Sequence, residues 1–248
     1  MENSTSKSPR VALVTGGSGG IGKAIVEKLA SEGYALAVHY AGNKQKADDL
    51  VAAVAAKGGK AIAVGGDVAD EAAMNSVFDA VENEFGGIDV VVNTAGVMTL
   101  GPVAAYDLDQ FDALMRTNVR GTFVVSQQAA RRVRSGGAII NFSTSVTRTQ
   151  FPTYGVYVAS KAAVESLSLI LARELRGKDI TVNAVAPGPT ATPLFLQGKD
   201  DAAIEGLSKA APLERLGQPE DIAETVAFLA GPARWVNGQT IFTNGGLA

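Results

Sequence analysis

Tyr157 and Lys161 lie four residues apart in the stretch "TYGVYVASKAAV", Thr153–Val164. On a helix, residues at i and i+4 share a face. A free phenol has a pKa of ~10, too high for efficient proton exchange near neutrality. A neighbouring ammonium favours the phenolate and lowers that value. The pair is therefore a candidate acid–base unit for a carbonyl being reduced or an alcohol being oxidised. Tyr154 is seven residues from Lys161, two turns away, and is expected to form a pocket wall instead. A Tyr and Lys at this spacing also occur as a plain surface pair, so the neighbouring sequence has to decide. Just upstream, "NFSTS" offers three hydroxyls, Ser143, Thr144 and Ser145, to orient a substrate carbonyl. They end a strand pattern, and ligands in open parallel sheets sit beyond the carboxyl ends of strands.

A second constellation precedes it. "VALVTGGSGGIGKAI", Val11–Ile25, places glycines directly after an apolar run and at the opening of a helical one. A tight turn needs glycine for positive φ, and a phosphate needs bare backbone beside a helix N-terminus. The spacing Gly16-x-x-x-Gly20-x-Gly22 fits a dinucleotide turn, with Ser18 and Ile21 between the glycines. The next strand candidate runs into "VHYAGNK". An NAD site usually has an acid there for the ribose 2′-hydroxyl, and this stretch has none. Tyr40 and Asn43 border the position, and Lys44 is placed to neutralise a 2′-phosphate. NADP(H) is thus expected over NAD(H).

These groups need elements to hold them. Short apolar runs alternate with helical patterns along the chain. Strands are expected at "VALVT", "YALAVHY", "AIAVGGDV", "IDVVVNTAGV", "GAIINFST", "DITVNAVAPG" and "GQTIFTNGG". The continuous valines of the fourth suit a parallel strand covered on both faces. Helical periodicity fills the gaps. One long helix is expected over 107–133 with a kink near Gly121, Asp70 is placed to cap a helix through Phe85, and Pro219 sits in the first turn of a late helix. The alternation predicts an α/β fold of Rossmann type: one doubly wound parallel sheet of about seven strands, helices on both faces, in a single domain. That domain is expected over 9–248 with a small substrate-loop region at 189–210, after a loose tail at 1–8.

Composition narrows the chemistry. With no cysteine, disulfides, thiolate nucleophiles and cysteine-ligated zinc are excluded. One histidine, His39, cannot build a multi-histidine metal site, so no metal is expected; it reads as a strand-end residue. A net charge of −3 without a basic run argues against nucleic acid and anionic membranes. The polar start "MENSTSKSPR" lacks the apolar core of a secretory signal, and no apolar run reaches the ~20 residues that span a bilayer. A soluble, cytoplasmic protein is expected.

Five motifs occur in order: "TGGSGGIG" at Thr15–Gly22, "NTAG" at Asn93–Gly96, Asn118 in "RTNVRGTF", "YVASK" at Tyr157–Lys161, and "PG" at Pro187–Gly188. Together they resemble the short-chain dehydrogenase/reductase family, in the branch whose chains are about this length. The likeness covers nearly the whole chain and is greatest to 3-oxoacyl carrier-protein reductase-like and trihydroxynaphthalene reductase-like members. It implies an NAD(P)(H)-dependent oxidoreductase acting on a small carbonyl or alcohol. It implies that Asp67 and Val68 border the adenine, and that Asn93, Ala95 and Gly96 line the ribose side. Pro187, Gly188, Thr190 and Thr192 would hold the nicotinamide end. Asn118 would hold a water of a proton relay, and Lys161 would also bond the nicotinamide ribose. "NTAG" departs from the commoner "NNAG", with Thr94 in place of asparagine. For the orienting hydroxyl, a family register of thirteen residues before the tyrosine gives Thr144. A register of fourteen, with a proline five before the tyrosine, gives Ser143 and matches Pro152. Ser143 is preferred, with Thr144 and Ser145 left open. The family also implies a homo-oligomer, tetramer or dimer. A second reading is a nucleotide-binding regulator that keeps the fold without catalysis; the joint presence of Asn118, Ser143, Tyr157 and Lys161 speaks against it. The pocket is expected near Met98, Thr99, Gln150, Phe151, Tyr154 and 189–206.

Overall fold

Strand β1, Val11–Thr15, is buried along its whole length. Val11 and Leu13 face one apolar core, Ala12 and Val14 the other, as a period of two requires when both faces are covered. The computed structural model describes residues 9–248, so the expected tail at 1–8 lies outside the described residues. The remaining strands are β2 Ala35–Tyr40, β3 Lys60–Gly65, β4 Ile88–Asn93, β5 Val133–Phe142, β6 Thr181–Pro187 and β7 Thr240–Thr243. All pair in parallel in the order β3-β2-β1-β4-β5-β6-β7. The order reverses between β1 and β4, and a crevice opens at that switch point.

Helices α1 (Gly20–Ser31), α2 (Lys44–Ala56) and α10 (Pro219–Ala230) cover one face. Ile25, Leu29, Ile222, Val226 and Leu229 pack there against Ala12, Val14, Val90 and Val92. Helices α3 (Glu71–Phe85), α5 (Gly121–Arg132) and α7 (Gly155–Glu174) cover the other. Phe78 is its largest fully buried side chain, and truncating it to alanine would cost ~3–5 kcal/mol. Asp70 caps α3 by accepting from the Ala73 amide, as its position in the sequence suggests.

The long helix expected over 107–133 is α4, Leu108–Met115, then a wide π turn at Arg116–Arg120, then α5. The deformation centres on Asn118, not on Gly121. Asn118 reaches back to the loop after β4, donating to the Val97 carbonyl and accepting from the Val97 amide, both at 2.9 Å. Two bonds to a distant backbone hold the extra residue in the turn. β5 also starts earlier than expected, at Val133, with a register irregularity beside β4. The 189–210 segment holds two short helices, α8 Pro193–Leu196 and α9 Asp201–Ala210, after the small α6, Val146–Thr149. By length and composition alone α7 is long and apolar enough to cross a membrane, contrary to the sequence expectation. It instead packs one side on β5 and β6.

Candidate active site

Gly16 opens the turn after β1 at φ +63°, a conformation that glycine takes without strain. Its carbonyl accepts from the Gly19 amide at 3.0 Å. A Cβ on Gly22 would lie 2.3 Å from that same carbonyl, so α1 can press onto the turn only without a side chain there. No side chain caps the N-terminus of α1. Its first amides therefore remain free for an anion. A cleft of about 800 Å³ runs over this turn, walled by Gly16, Ser18, Gly20, Ile21, Gly22, Tyr40, Ala95 and Gly96. That is the size of a cofactor site. It continues into a smaller, mostly apolar hollow through the shared residues Ile21, Thr94, Gly96, Phe142, Thr192 and Leu194.

The hollow contains the chemistry. Tyr157 and Lys161 line it from α7, with Ser143, Thr144 and Ser145 from the end of β5 and Pro187, Gly188, Thr190 and Thr192 from beyond β6. Lys161 is buried and donates to the Phe142 carbonyl at 2.9 Å. Its ammonium lies 5.9 Å from the Tyr157 ring centre. Burial lowers the Lys161 pKa to about 8. Burial pushes Tyr157 the other way, up to about 12, against a lowering by the Thr144 side chain and with a raising by Tyr154. A phenol tuned below its free value was expected. In the protein alone desolvation by burial is the largest effect and raises it instead. Tyr154 stands beside Tyr157 in an edge-to-face pair, centroids 6.4 Å apart, and forms the expected wall.

The three hydroxyls separate. Ser143 donates to Glu165 Oε1 at 2.6 Å. Ser145 donates to the Ala186 carbonyl at 3.1 Å and accepts from Asn244. Thr144 is the one that hydrogen bonds Tyr157. All three hydroxyl-bearing residues line the hollow with Tyr157; Ser143, the preferred one, is engaged by Glu165, and Thr144 is the one left beside the phenol. The loop between β5 and α7 sets this register, and its partner on α7, Glu165, is invisible to a count of residues.

Lys44 is also displaced from its expected place. Its ammonium grips both oxygens of Asp48, one turn along α2, at 2.9 and 2.7 Å. Asn43 spends its carbonyl oxygen capping α2 at the Lys46 amide. Lys46, not Lys44, lines the nucleotide cleft, together with Tyr40 and Ser18. Asp67 is exposed, pairs with Arg116 at 2.6 Å and accepts from the Ala69 amide, while Val68 is buried beneath it. Asn93 is buried and accepts from Thr15 at 2.6 Å, a structural bond under the cleft floor. Thr15 then accepts from the Ala95 amide, and Thr94 donates to the Thr15 carbonyl, so Thr94 keeps the strand end tied. Gly96 lies where a Cβ would be 3.2 Å from Asn118 and 3.3 Å from Lys161. Of the expected pocket residues, Met98, Phe151, Tyr154 and, from the 189–206 segment, Leu194 and Phe195 line the hollow, joined by Leu207. Thr99 instead bonds Tyr106, and Gln150 ends α6. Among the described residues no cluster of three metal-ligating side chains occurs.

A family model described as enoyl-(acyl carrier protein) reductase matches residues 16–248. A short-chain type dehydrogenase/reductase of Picea abies is 44% identical, over 96% of this chain and 92% of the relative. The chain belongs to the short-chain dehydrogenase/reductase family. It is an oxidoreductase of that family. An NADPH-dependent aldehyde reductase-like protein, chloroplastic, of Arabidopsis thaliana is 39% identical over 96% of this chain and 93% of its own. A short-chain dehydrogenase of Burkholderia cenocepacia, solved in complex with NADP, superposes with a TM-score of 0.90 at 38% identity, covering 97% of this chain and 98% of that one.

Proposed function

We propose that this chain is an NADPH-dependent reductase of small, apolar aldehydes or ketones, with Tyr157 as the proton donor. One observation carries the reading: Tyr157, Thr144 and Lys161 converge in an apolar hollow that adjoins a nucleotide-sized cleft. The bare turn Gly16–Gly22 and the uncapped start of α1 fit a pyrophosphate. Lys46 and Ser18 on the cleft wall suit a 2′-phosphate, and the relatives' NADPH and NADP point the same way. When bound, the reduced nicotinamide supplies a hydride to the carbonyl carbon.

The side chains handle the oxygen. Thr144 donates a hydrogen bond that holds the carbonyl oxygen beside the phenol. Tyr157 transfers its proton to that oxygen as negative charge develops. The buried Lys161 cation steadies the resulting phenolate. Asn118 has spent both amide hydrogens, on Val97 and Ser160, and one lone pair on Val97. Its remaining lone pair is left to hold a relay water. Apart from Lys161, which is buried and engaged by the Phe142 carbonyl, no cation lines the hollow, and Phe151, Tyr154, Met98, Leu194 and Leu207 offer apolar surface, which favours an uncharged substrate over an acidic one.

The test is consumption of NADPH, followed by its absorbance, across a panel of uncharged aldehydes and ketones, carboxylated analogues, and acyl thioesters. Turnover is expected with the uncharged aldehydes or ketones and at least tenfold slower with carboxylated analogues. Tight NADPH binding without turnover of any carbonyl would favour a silent nucleotide-binding protein. Faster turnover of acyl thioesters would overturn the substrate class.

A further inference from the structure

Helix α7 carries a third polar residue in register with the proposed catalytic pair. Tyr157, Lys161 and Glu165 occur at i, i+4 and i+8, one stripe along one face. The Glu165 carboxylate is half-buried and joins no ion pair among the described residues. A single oxygen of it, Oε1, accepts from Ser143 at 2.6 Å and from Thr147 at 2.8 Å. Those two residues bracket Thr144, one before it and three after. Each hydroxyl has one hydrogen and a weaker alternative acceptor. For Ser143 the alternative is the Lys161 carbonyl at 3.5 Å; for Thr147 it is the Thr144 carbonyl at 2.9 Å. A charged acceptor makes the shorter and stronger bond, so the carboxylate takes both.

We propose that Glu165 is a positioning residue that fixes Thr144 against Tyr157 by clamping Ser143 and Thr147. This rests on the reading that Thr144 orients the substrate carbonyl. The clamp makes α7 the common support of proton donor and carbonyl holder. Their separation is then set by one helix and not by the long loop between β5 and α7. Misplacement of a reacting group by about an ångström costs on the order of a hundredfold in rate.

The test compares E165L, E165Q and S143A/T147V in three measurements. In the nucleotide-free chain, hydrogen exchange of peptides within 143–150 is expected to speed up several-fold in E165L and in S143A/T147V. It should stay near wild type in E165Q, whose amide oxygen still accepts both bonds. In turnover, E165L should lower kcat about ten- to a hundredfold with the NADPH Kd unchanged within about twofold, and E165Q should rescue most of it. In a T144A background, E165L should cost no more than about twofold further. Unchanged loop exchange in E165L, or an equal loss of kcat with and without Thr144, would overturn the proposal. If E165L does not fold, S143A/T147V removes the same bonds from the other side and decides the question by the same exchange and kcat criteria. Wild-type chain that turns over no carbonyl would refute the functional reading, while the exchange measurement would still judge the clamp.

Discussion

At the scale of single residues, the phenol and the ammonium make separable predictions. Tyr157→Phe should lower turnover by ~10²–10⁴, the contribution of a positioned proton donor, and leave the NADPH Kd within about twofold. Tyr154→Phe should keep most of the activity, because that ring is a wall. Steady-state kinetics beside fluorescence titration of the cofactor checks both, and equal losses would sink the assignment. The shifts also fix a pH dependence. A phenol held at about 12 stays protonated across the neutral range, which suits an acid for reduction. Lys161, lowered to about 8, is cationic below that value and neutral above it. The reductive kcat should therefore fall as pH rises through about 8, read from a pH–rate profile at saturating NADPH. Tyr157 and Lys161 were legible in the sequence because their contact is local, one helical turn. The partners of Ser143, Thr144 and Ser145 were not, because they include a carboxylate on α7, Glu165, that no count of residues encodes.

At the scale of elements, α2 decides which lysine lines the nucleotide-sized cleft. Residues 44 and 48 are neighbours on its surface, so Lys44 closes on Asp48 and is removed from the cleft. Lys46 stands on another face and keeps its charge toward the cleft. Lys46→Ala should raise the KM for NADPH about tenfold and that for NADH less than twofold, whereas Lys44→Ala should change neither by more than about twofold. Paired kinetics with the two cofactors checks this; the reverse ranking would restore Lys44. Strands and helices themselves were readable, since a strand buried on both faces is written as an unbroken valine run such as that of β4. The π turn was hidden. Its cause is the two bonds from Asn118 to Val97, a partner that no local propensity encodes.

At the scale of the whole molecule, two properties follow from what is buried and what is not. Phe123 on α5 and Leu169 and Ile170 on α7 are large apolar side chains left exposed on adjoining helices. A second copy of the chain is the occupant we expect there, in line with the family resemblance. Light scattering should show a dimer or tetramer for the wild type and a smaller species for Ile170→Glu. His39 bears on global stability. It is buried, and burial holds its pKa down to about 4 from 6.5, against opposing effects of the Gly66 carbonyl and Asp67. Below 6.5 the unfolded chain takes up a proton that the folded chain refuses, so stability falls as pH drops toward 4. The loss should reach ~2 kcal/mol by about pH 5, read from urea midpoints, and His39→Gln should flatten it.

The place of that ring carries one more consequence. Its Nδ1 accepts from the Gly16 amide at 3.3 Å and its Nε2 meets the Gly66 carbonyl at 3.0 Å, so one neutral tautomer spans the first glycine of the turn and the end of the neighbouring strand. The sequence contains no second histidine. A histidine-selective NMR spectrum of this chain therefore holds a single imidazole, and its resonances report directly on the floor of the nucleotide cleft. Occupancy of the cleft can be followed there without a label, a tag or a substrate.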